Sequence, residues 1–220
     1  MMAMFVAALG LLAQDAASLS FEQKIDVVYG EVHGIGLLMD VFTPKRDTNG
    51  LGIVDVVSGA YYSDRGKIRD HMMAQLYSIL CGRGYTVFAL RPGSRTRYTG
   101  AEMDEHVKLG IRFVKQHANE YAIDPERLGI TGASAGGHLA ALAAVTPEAG
   151  DAHARNPLRR HDTKVRAVGV FFPPTDFLDW DGKRANLDLL GSLLFLGGVH
   201  GQPEAELMRR AEAIDRKSVV

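Results

Sequence analysis

The sequence predicts an α/β fold: a mostly parallel central sheet with helices on both faces. Three observations carry this. Short apolar runs bounded by turn residues alternate with stretches of helical periodicity along most of the chain. Past the middle, the apolar run Arg127-Leu128-Gly129-Ile130-Thr131 leads through a glycine-rich turn into alanine- and leucine-rich sequence, a strand–turn–helix unit. Finally, 220 residues of which 46% are hydrophobic suffice for one such domain with a sizeable core.

Taken in order, Ile25 to Tyr29 and Leu37 to Phe42 read as two strands joined by a turn at His33-Gly34-Ile35-Gly36. Pro44 to Gly50 is a polar loop. Leu51 to Val57 is a third strand, running into Ser58-Gly59-Ala60-Tyr61-Tyr62. Met72, Met73, Leu76, Ile79 and Leu80 recur at helical spacing and predict one helix over Lys67 to Gly82, with that stripe in the core. Tyr85 to Leu90 is a fourth strand, and Arg91 to Gly100 a loop rich in Arg, Gly and Pro. Val107, Ile111, Phe113 and Val114 mark a long amphipathic helix over Ala101 to Tyr121. Arg127 to Thr131 is the next strand, and the helix after Ser134 ends near Pro147. A polar excursion, Glu148 to Lys164, precedes the apolar strand Val165 to Phe172, which Pro173-Pro174 closes. Asp179 to Gly201 reads as a loop with a short apolar helix around Leu187 to Leu196. Pro203 to Ile214 is a last helix.

Composition narrows the function classes. A net charge of −1 gives no electrostatic argument for nucleic acid or an anionic membrane. A single cysteine, Cys81, excludes an internal disulfide and a cysteine-rich zinc site, and its apolar surroundings read as a buried small hydrophobe. Met4 to Ala13 is almost wholly apolar, the length of a signal-peptide core and too short to span a bilayer. Small residues follow at Ala13, Ala16, Ala17 and Ser18, so residues 1–17 read as an export signal, giving a secreted or periplasmic protein. No basic residue precedes the run, and the alternative is a buried N-terminal helix. No other stretch is long enough to span a membrane.

The chemistry concentrates at Gly132-Ala133-Ser134-Ala135-Gly136-Gly137-His138. A G-x-S-x-G between a strand and a helix is the context of a nucleophile elbow, whose tight turn needs small residues two positions either side of the serine. The Ala135 amide, at a helix N-terminus, would face a negative oxygen near Ser134. The alternatives are a bare βα turn or one that binds phosphate. A dinucleotide fingerprint belongs in the first βα unit, and this turn lies beyond the middle of the chain.

The run Asp124-Pro125-Glu126-Arg127-Leu128-Gly129-Ile130-Thr131-Gly132-Ala133-Ser134-Ala135-Gly136-Gly137-His138-Leu139 resembles the signature of α/β-hydrolase esterases of the acetyl-esterase and hormone-sensitive-lipase-like kind, a grouping that includes feruloyl- and acetylxylan-esterase-like proteins. Met39-Asp40-Val41-Phe42-Thr43-Pro44 resembles the family's early strand, and Arg91-Pro92 stands near its usual post-strand arginine. The resemblance covers roughly Val27 to Phe172. It implies hydrolysis of small acyl or carbohydrate-linked carboxylic esters through an acyl-serine intermediate on Ser134, with no cofactor, over a hydrolase domain at residues 18–220. Where the family carries His-Gly-Gly, this chain has Ser58-Gly59-Ala60. The resemblance implies that the amides of Gly59, Ala60 and Ala135 form the oxyanion hole.

The family's acid and histidine base follow later strands in the order Ser, Asp or Glu, His. The sheet read here stops after Val165 to Phe172, so the fold reads as interrupted before its last two strands, roughly 60–100 residues short. On that reading the triad Asp and His lie past Val220, and this chain by itself is poorly soluble and nearly inactive. Inside the chain, Asp176 and His200 have the right order but no strand between them. His138 reads as a packing or capping residue, and His153 and His161 as solvated. No histidine falls in a zinc-protease pattern, so no metal is expected. Tyr61, Tyr62, Phe177 and Trp180 either line an acyl or sugar pocket or fill the core. Two rivals stay open: a serine peptidase on the same fold, and a non-catalytic hydrolase relative that only binds.

Overall fold

The computed structural model describes residues 20–177, 179–180, 183–184 and 203–215. The expected export signal, the helix around Leu187 to Leu196 and His200 lie outside the described residues.

Two long strands, β1 (Phe21–Val32) and β2 (Ile35–Pro44), form an antiparallel hairpin. His33 (φ 52°) and Gly34 (φ 74°) make its two-residue turn, with positive φ at both positions matching the twist of the strands. The remaining main strands are β3 (Gly52–Val56), β4 (Thr86–Leu90), β5 (Gly129–Ala133) and β6 (Ala167–Phe171). The sheet order is β1-β2-β4-β3-β5-β6, antiparallel as far as β4 and parallel from β4 to β6. The parallel strands therefore end along one edge of the sheet, the edge at which α/β folds build their sites. A two-stranded ribbon, β7 (Asp179–Trp180) with β8 (Lys183–Arg184), lies in a stretch expected to be loop.

Two helices cover one face, α1 (Arg65–Met73) and α2 (Leu76–Gly82), where the stripe predicts a single helix with its residues in the core; instead Ile68, Tyr77 and Cys81 are the buried residues, Met72, Leu76 and Leu80 are partly buried, and Met73 and Ile79 are exposed. The break is at Gln75, whose φ is 61°. His71 Nδ1 and Tyr77 Oη both bond to the Asp55 carboxylate, at 2.7 and 2.9 Å. On an unbroken helix those two side chains would point roughly 120° apart. The kink brings both onto one buried acid. Phe42, Val57, Ile68, Tyr77 and Val87 form the core of this face. Cys81 is buried there, and burial pushes its thiol up to about 12.

The other face carries α3 (Gly100–Gln116), α4 (Ala135–Val145) and α5 (Glu204–Ile214). Thr99 and Glu102 start α3 with reciprocal capping bonds. It stops at Gln116 rather than running to Tyr121, and the turns that follow close at Ala122, whose φ is 50°. Every residue of α4 from Ala135 to Leu142 is buried, so this helix is the centre of the larger core. The apolar face of α5 (Leu207, Ala211, Ile214) packs into the same core.

The polar excursion is tied to α3 by buried cations. Lys108 and Arg112 reach Glu148 at 3.2 and 2.8 Å, and Lys115 reaches Asp162 at 2.7 Å. At the sheet edge, β6 leaves Val168 and Phe171 half exposed, with Phe172 beyond them 78% exposed. Among the described residues, no helix is long and apolar enough to cross a membrane.

Candidate active site

Ser134 sits between the last residue of β5 and the first of α4, half-buried, at φ 53° and ψ −124°. A non-glycine residue in that region is strained by about 1–3 kcal/mol and persists only where its surroundings hold it. Three contacts hold it here. Ser134 N–H donates to Phe171 O at 3.0 Å, extending the β5–β6 ladder past the strand. Ser134 O accepts from His138 N at 3.0 Å, the first bond of α4. Gly136 N–H donates to Ser58 O at 3.0 Å, joining the elbow to the loop after β3.

The glycines are there for space. A Cβ on Gly132 would stand 2.5 Å from Gly136 O, and one on Gly136 would collide with the backbone oxygen of Val56. The strand runs to Ala133, two residues past the expected Thr131. The turn that carries Ser134 lies where the sequence puts it.

Ser58 to Tyr62 flank the elbow. Gly59 and Tyr62 exchange both backbone bonds, each 2.9 Å, around Ala60 (φ 47°) and Tyr61 (φ 62°). Positive φ at both central residues is the signature of a type I′ turn, a conformation normally given to Asn-Gly and here imposed on Ala-Tyr. The Gly59 N–H, expected in the oxyanion hole, is engaged by Tyr62 O. The other two expected donors are Ala60 and Ala135. Ala135 is the first residue of α4, where a helix leaves its N–H groups without intrahelical acceptors.

Tyr61 is buried, and its hydroxyl meets His138 Nδ1 at 3.0 Å; His138 Nε2 meets Ile214 O at 2.9 Å. A carbonyl can only accept, so Nε2 carries the proton, and Nδ1 of the neutral ring accepts from the Tyr61 hydroxyl. Burial drives His138 down to about 4, against the Ile214 carbonyl and the Asp215 charge, which favour the cation. His138 thus does more than pack, and the backbone periodicity of its helix carried no sign of this. Phe177 is core, edge-on to the His138 ring at 4.7 Å. Tyr62 stays on the rim, with the Arg95 guanidinium 4.7 Å above its ring. Trp180 lies in β7.

Arg91, at the end of β4, pairs with Asp26 at 2.5 Å, and Arg65 pairs with Asp26 at 2.6 Å and with the fully buried Asp40 at 3.0 Å. The loops after β3 and β4 are thereby pinned to the β1–β2 hairpin. Below the elbow, on the α1–α2 face, a cavity of about 320 Å³ is lined by Asp55, His71, Leu76, Thr131, Ala133 and Phe171. Among the described residues, no histidine ring nitrogen is hydrogen-bonded to the Ser134 side chain. His71 is on Asp55, His106 on Pro92 O and His117 on Phe113 O. His153 is exposed, and His161 is half-buried in the excursion. Asp176 lies just beyond β6, half-buried.

A sheet whose parallel strands end at a strained serine elbow, with a helix N-terminus behind it, defines an α/β-hydrolase. Residues 39–214 match the BD-FAE family, and the chain belongs to that family. It is 33% identical over 155 residues to the probable carboxylic ester hydrolase LipM of Mycobacterium tuberculosis, covering 69% of this chain and 35% of that protein. The chain thus spans about a third of that relative's length. The fold is also similar to a truncated form of a carbohydrate esterase from gut microbiota, with TM-score 0.71, 22% identity, and coverage of 92% of this chain and 74% of that one. The propionate-bound esterase Est2 of the planctomycete Thermogutta terrifontis gives TM-score 0.62 at 20% identity, covering 91% of this chain and 67% of that one.

Proposed function

We propose that this chain carries the nucleophile and oxyanion-hole portion of a carboxylic ester hydrolase acting on small acyl or carbohydrate-linked esters. The backbone at Ser134 carries the reading: a strained serine at the C-terminal edge of parallel strands, with the α4 N-terminus beside it. In the reaction, Ser134 Oγ attacks the acyl carbonyl and gives up its proton to a base. The resulting oxyanion is met by the amides of Ala135 and Ala60. Collapse, with the base returning that proton to the leaving oxygen, expels the alcohol and leaves an acyl-serine, which water then hydrolyses. Donors of this kind act on charge that exists only in the transition state, and one is worth about 3 kcal/mol. The base is not assigned to any described histidine.

The substrate class rests on the neighbours' own descriptions and on the Tyr62 rim, an aromatic face beside the turn that a sugar or acyl group can stack on. Export, from the run Met4 to Ala13, belongs to the same reading. Among the described residues no imidazole is hydrogen-bonded to the Ser134 side chain, which favours one rival, a protein that binds esters without turning them over. Purified protein incubated with p-nitrophenyl acetate, acetylated xylo-oligosaccharides and a fluorophosphonate probe separates the two. Turnover and a covalent adduct on Ser134, both lost in Ser134→Ala, carry the hydrolase reading. Ester binding with neither turnover nor adduct carries the rival.

A further inference from the structure

The turn at Gly59 to Tyr62 has a peculiarity that its sequence does not explain. Both central residues hold positive φ without being glycine or asparagine, so the backbone bonds alone leave the turn at a disadvantage. Something outside the turn must select it. Two contacts reach it from elsewhere. Arg95 N–H donates to Tyr61 O at 2.8 Å, and the Tyr61 side chain runs down into the core, only 3% exposed. At its end the hydroxyl finds His138, on the first turns of the nucleophile helix.

We propose that His138 is a positioning residue of the oxyanion loop: by accepting the Tyr61 hydroxyl while donating to Ile214 O, it fixes the strained Ala60–Tyr61 backbone at one height against the Ser134 elbow. The catalytic consequence rests on the hydrolase reading above; the positioning itself does not.

The geometry supports this on three counts. First, His138 and Ser134 share a helix start, and Ser134 O accepts from His138 N, so the imidazole moves with the nucleophile rather than with the loop. Second, the ring is fixed on both sides. Nε2 is 2.9 Å from Ile214 O at the end of α5, and the rings of Tyr61 and Phe177 meet it edge-on at 5.8 and 4.7 Å. Third, the bond is dry. His138 is 1% exposed, so a lost hydroxyl–imidazole bond is not replaced by bulk water. The chain of contacts runs from the end of α5 through His138 and Tyr61 to the amide of Ala60, one of the expected oxyanion donors.

The test uses Tyr61→Phe, His138→Phe, His138→Asn and His138→Gln in the full chain. Asn keeps an acceptor where Nδ1 stands, and Gln keeps a donor near Nε2. Hydrogen exchange at the amides of Gly59, Tyr62 and Arg95 reads the turn, because their bonds close it. Exchange there is expected to quicken about five- to twentyfold in Tyr61→Phe, His138→Phe and His138→Gln, and to stay near wild type in His138→Asn. With p-nitrophenyl acetate, kcat is expected to fall by a similar factor in the same three variants with KM little changed, Asn again restoring it. Unchanged exchange in both Phe variants, or Asn behaving like Phe, overturns the proposal. If exchange follows the expected order while wild-type protein shows neither turnover nor a Ser134 adduct, the hydrolase reading fails and the positioning role stands.

Discussion

Gly136 N–H donates to Ser58 O at 3.0 Å, so α4 begins on the carbonyl of the loop that follows β3. The approach is close enough that a Cβ on Gly136 would overlap Val56 O and stand 3.2 Å from Ser58 N. Backbone atoms of a central strand have nowhere to move.

Gly136→Ala is therefore expected to destabilise the protein by about 2–4 kcal/mol, through overpacking against an immobile strand. Gly82→Ala is the control: nothing lies within 4 Å of its Cβ, at the last residue of α2. Urea denaturation of both variants checks this. Equal midpoints would mean that the elbow can relax.

Ser134→Gly tests the strain directly. Glycine takes φ 53° without steric penalty, which recovers about 1–3 kcal/mol and gives back about 0.5–1 kcal/mol in unfolded-state entropy. A net gain near 1 kcal/mol is expected, together with loss of hydrolysis and of probe labelling. A fall in melting temperature would show that the turn is not strained.

His138 gives the protein an acid-sensitive core. Burial lowers its value to about 4, below the ordinary 6.5, so between these two the unfolded chain binds a proton that the folded one refuses. The groups facing the ring are the Tyr61 hydroxyl, the Ile214 carbonyl and the Asp215 charge. Stability from this site is complete above pH 6.5 and is lost as pH falls toward 4, by up to about 3 kcal/mol. His138→Asn is expected to flatten that limb of a plot of stability against pH.

His71 has the opposite sign. Burial lowers its value, but the hydrogen bond to Asp55 and that carboxylate's charge outweigh burial and raise it above 6.5. Its contribution is complete below 6.5 and is lost as pH rises through the folded value. Denaturation midpoints measured from about pH 5.5 to 9 should show a decline on the alkaline side that is absent in His71→Asn. An identical decline in the variant would assign it to another group.

What was legible beforehand was local. The elbow, the hairpin turn expected within His33-Gly34-Ile35-Gly36 and formed by His33-Gly34, and the strand and helix on either side of Ser134 depend on residues within a few positions of each other, and glycine placement and apolar runs report such short-range sterics directly. The BD-FAE family match covers residues 39–214, which include the elbow. The single helix expected over Lys67 to Gly82 failed because periodicity cannot see Asp55, the distant acid that draws His71 and Tyr77 together by breaking the helix. Gly59 N–H, expected as an oxyanion donor, is engaged within its own turn by Tyr62 O, a bond that glycine placement alone does not signal. Tyr61, His138 and Ile214 are separated by 77 and 76 positions. They meet because β3 and β5 are neighbours in the sheet and α5, packed against α3, brings its end to His138, an order that no pattern within one segment encodes. The sequence by itself therefore determined where the Ser134 turn forms. Only the tertiary structure decided what holds the loop opposite it, because that contact depends on which strands lie side by side.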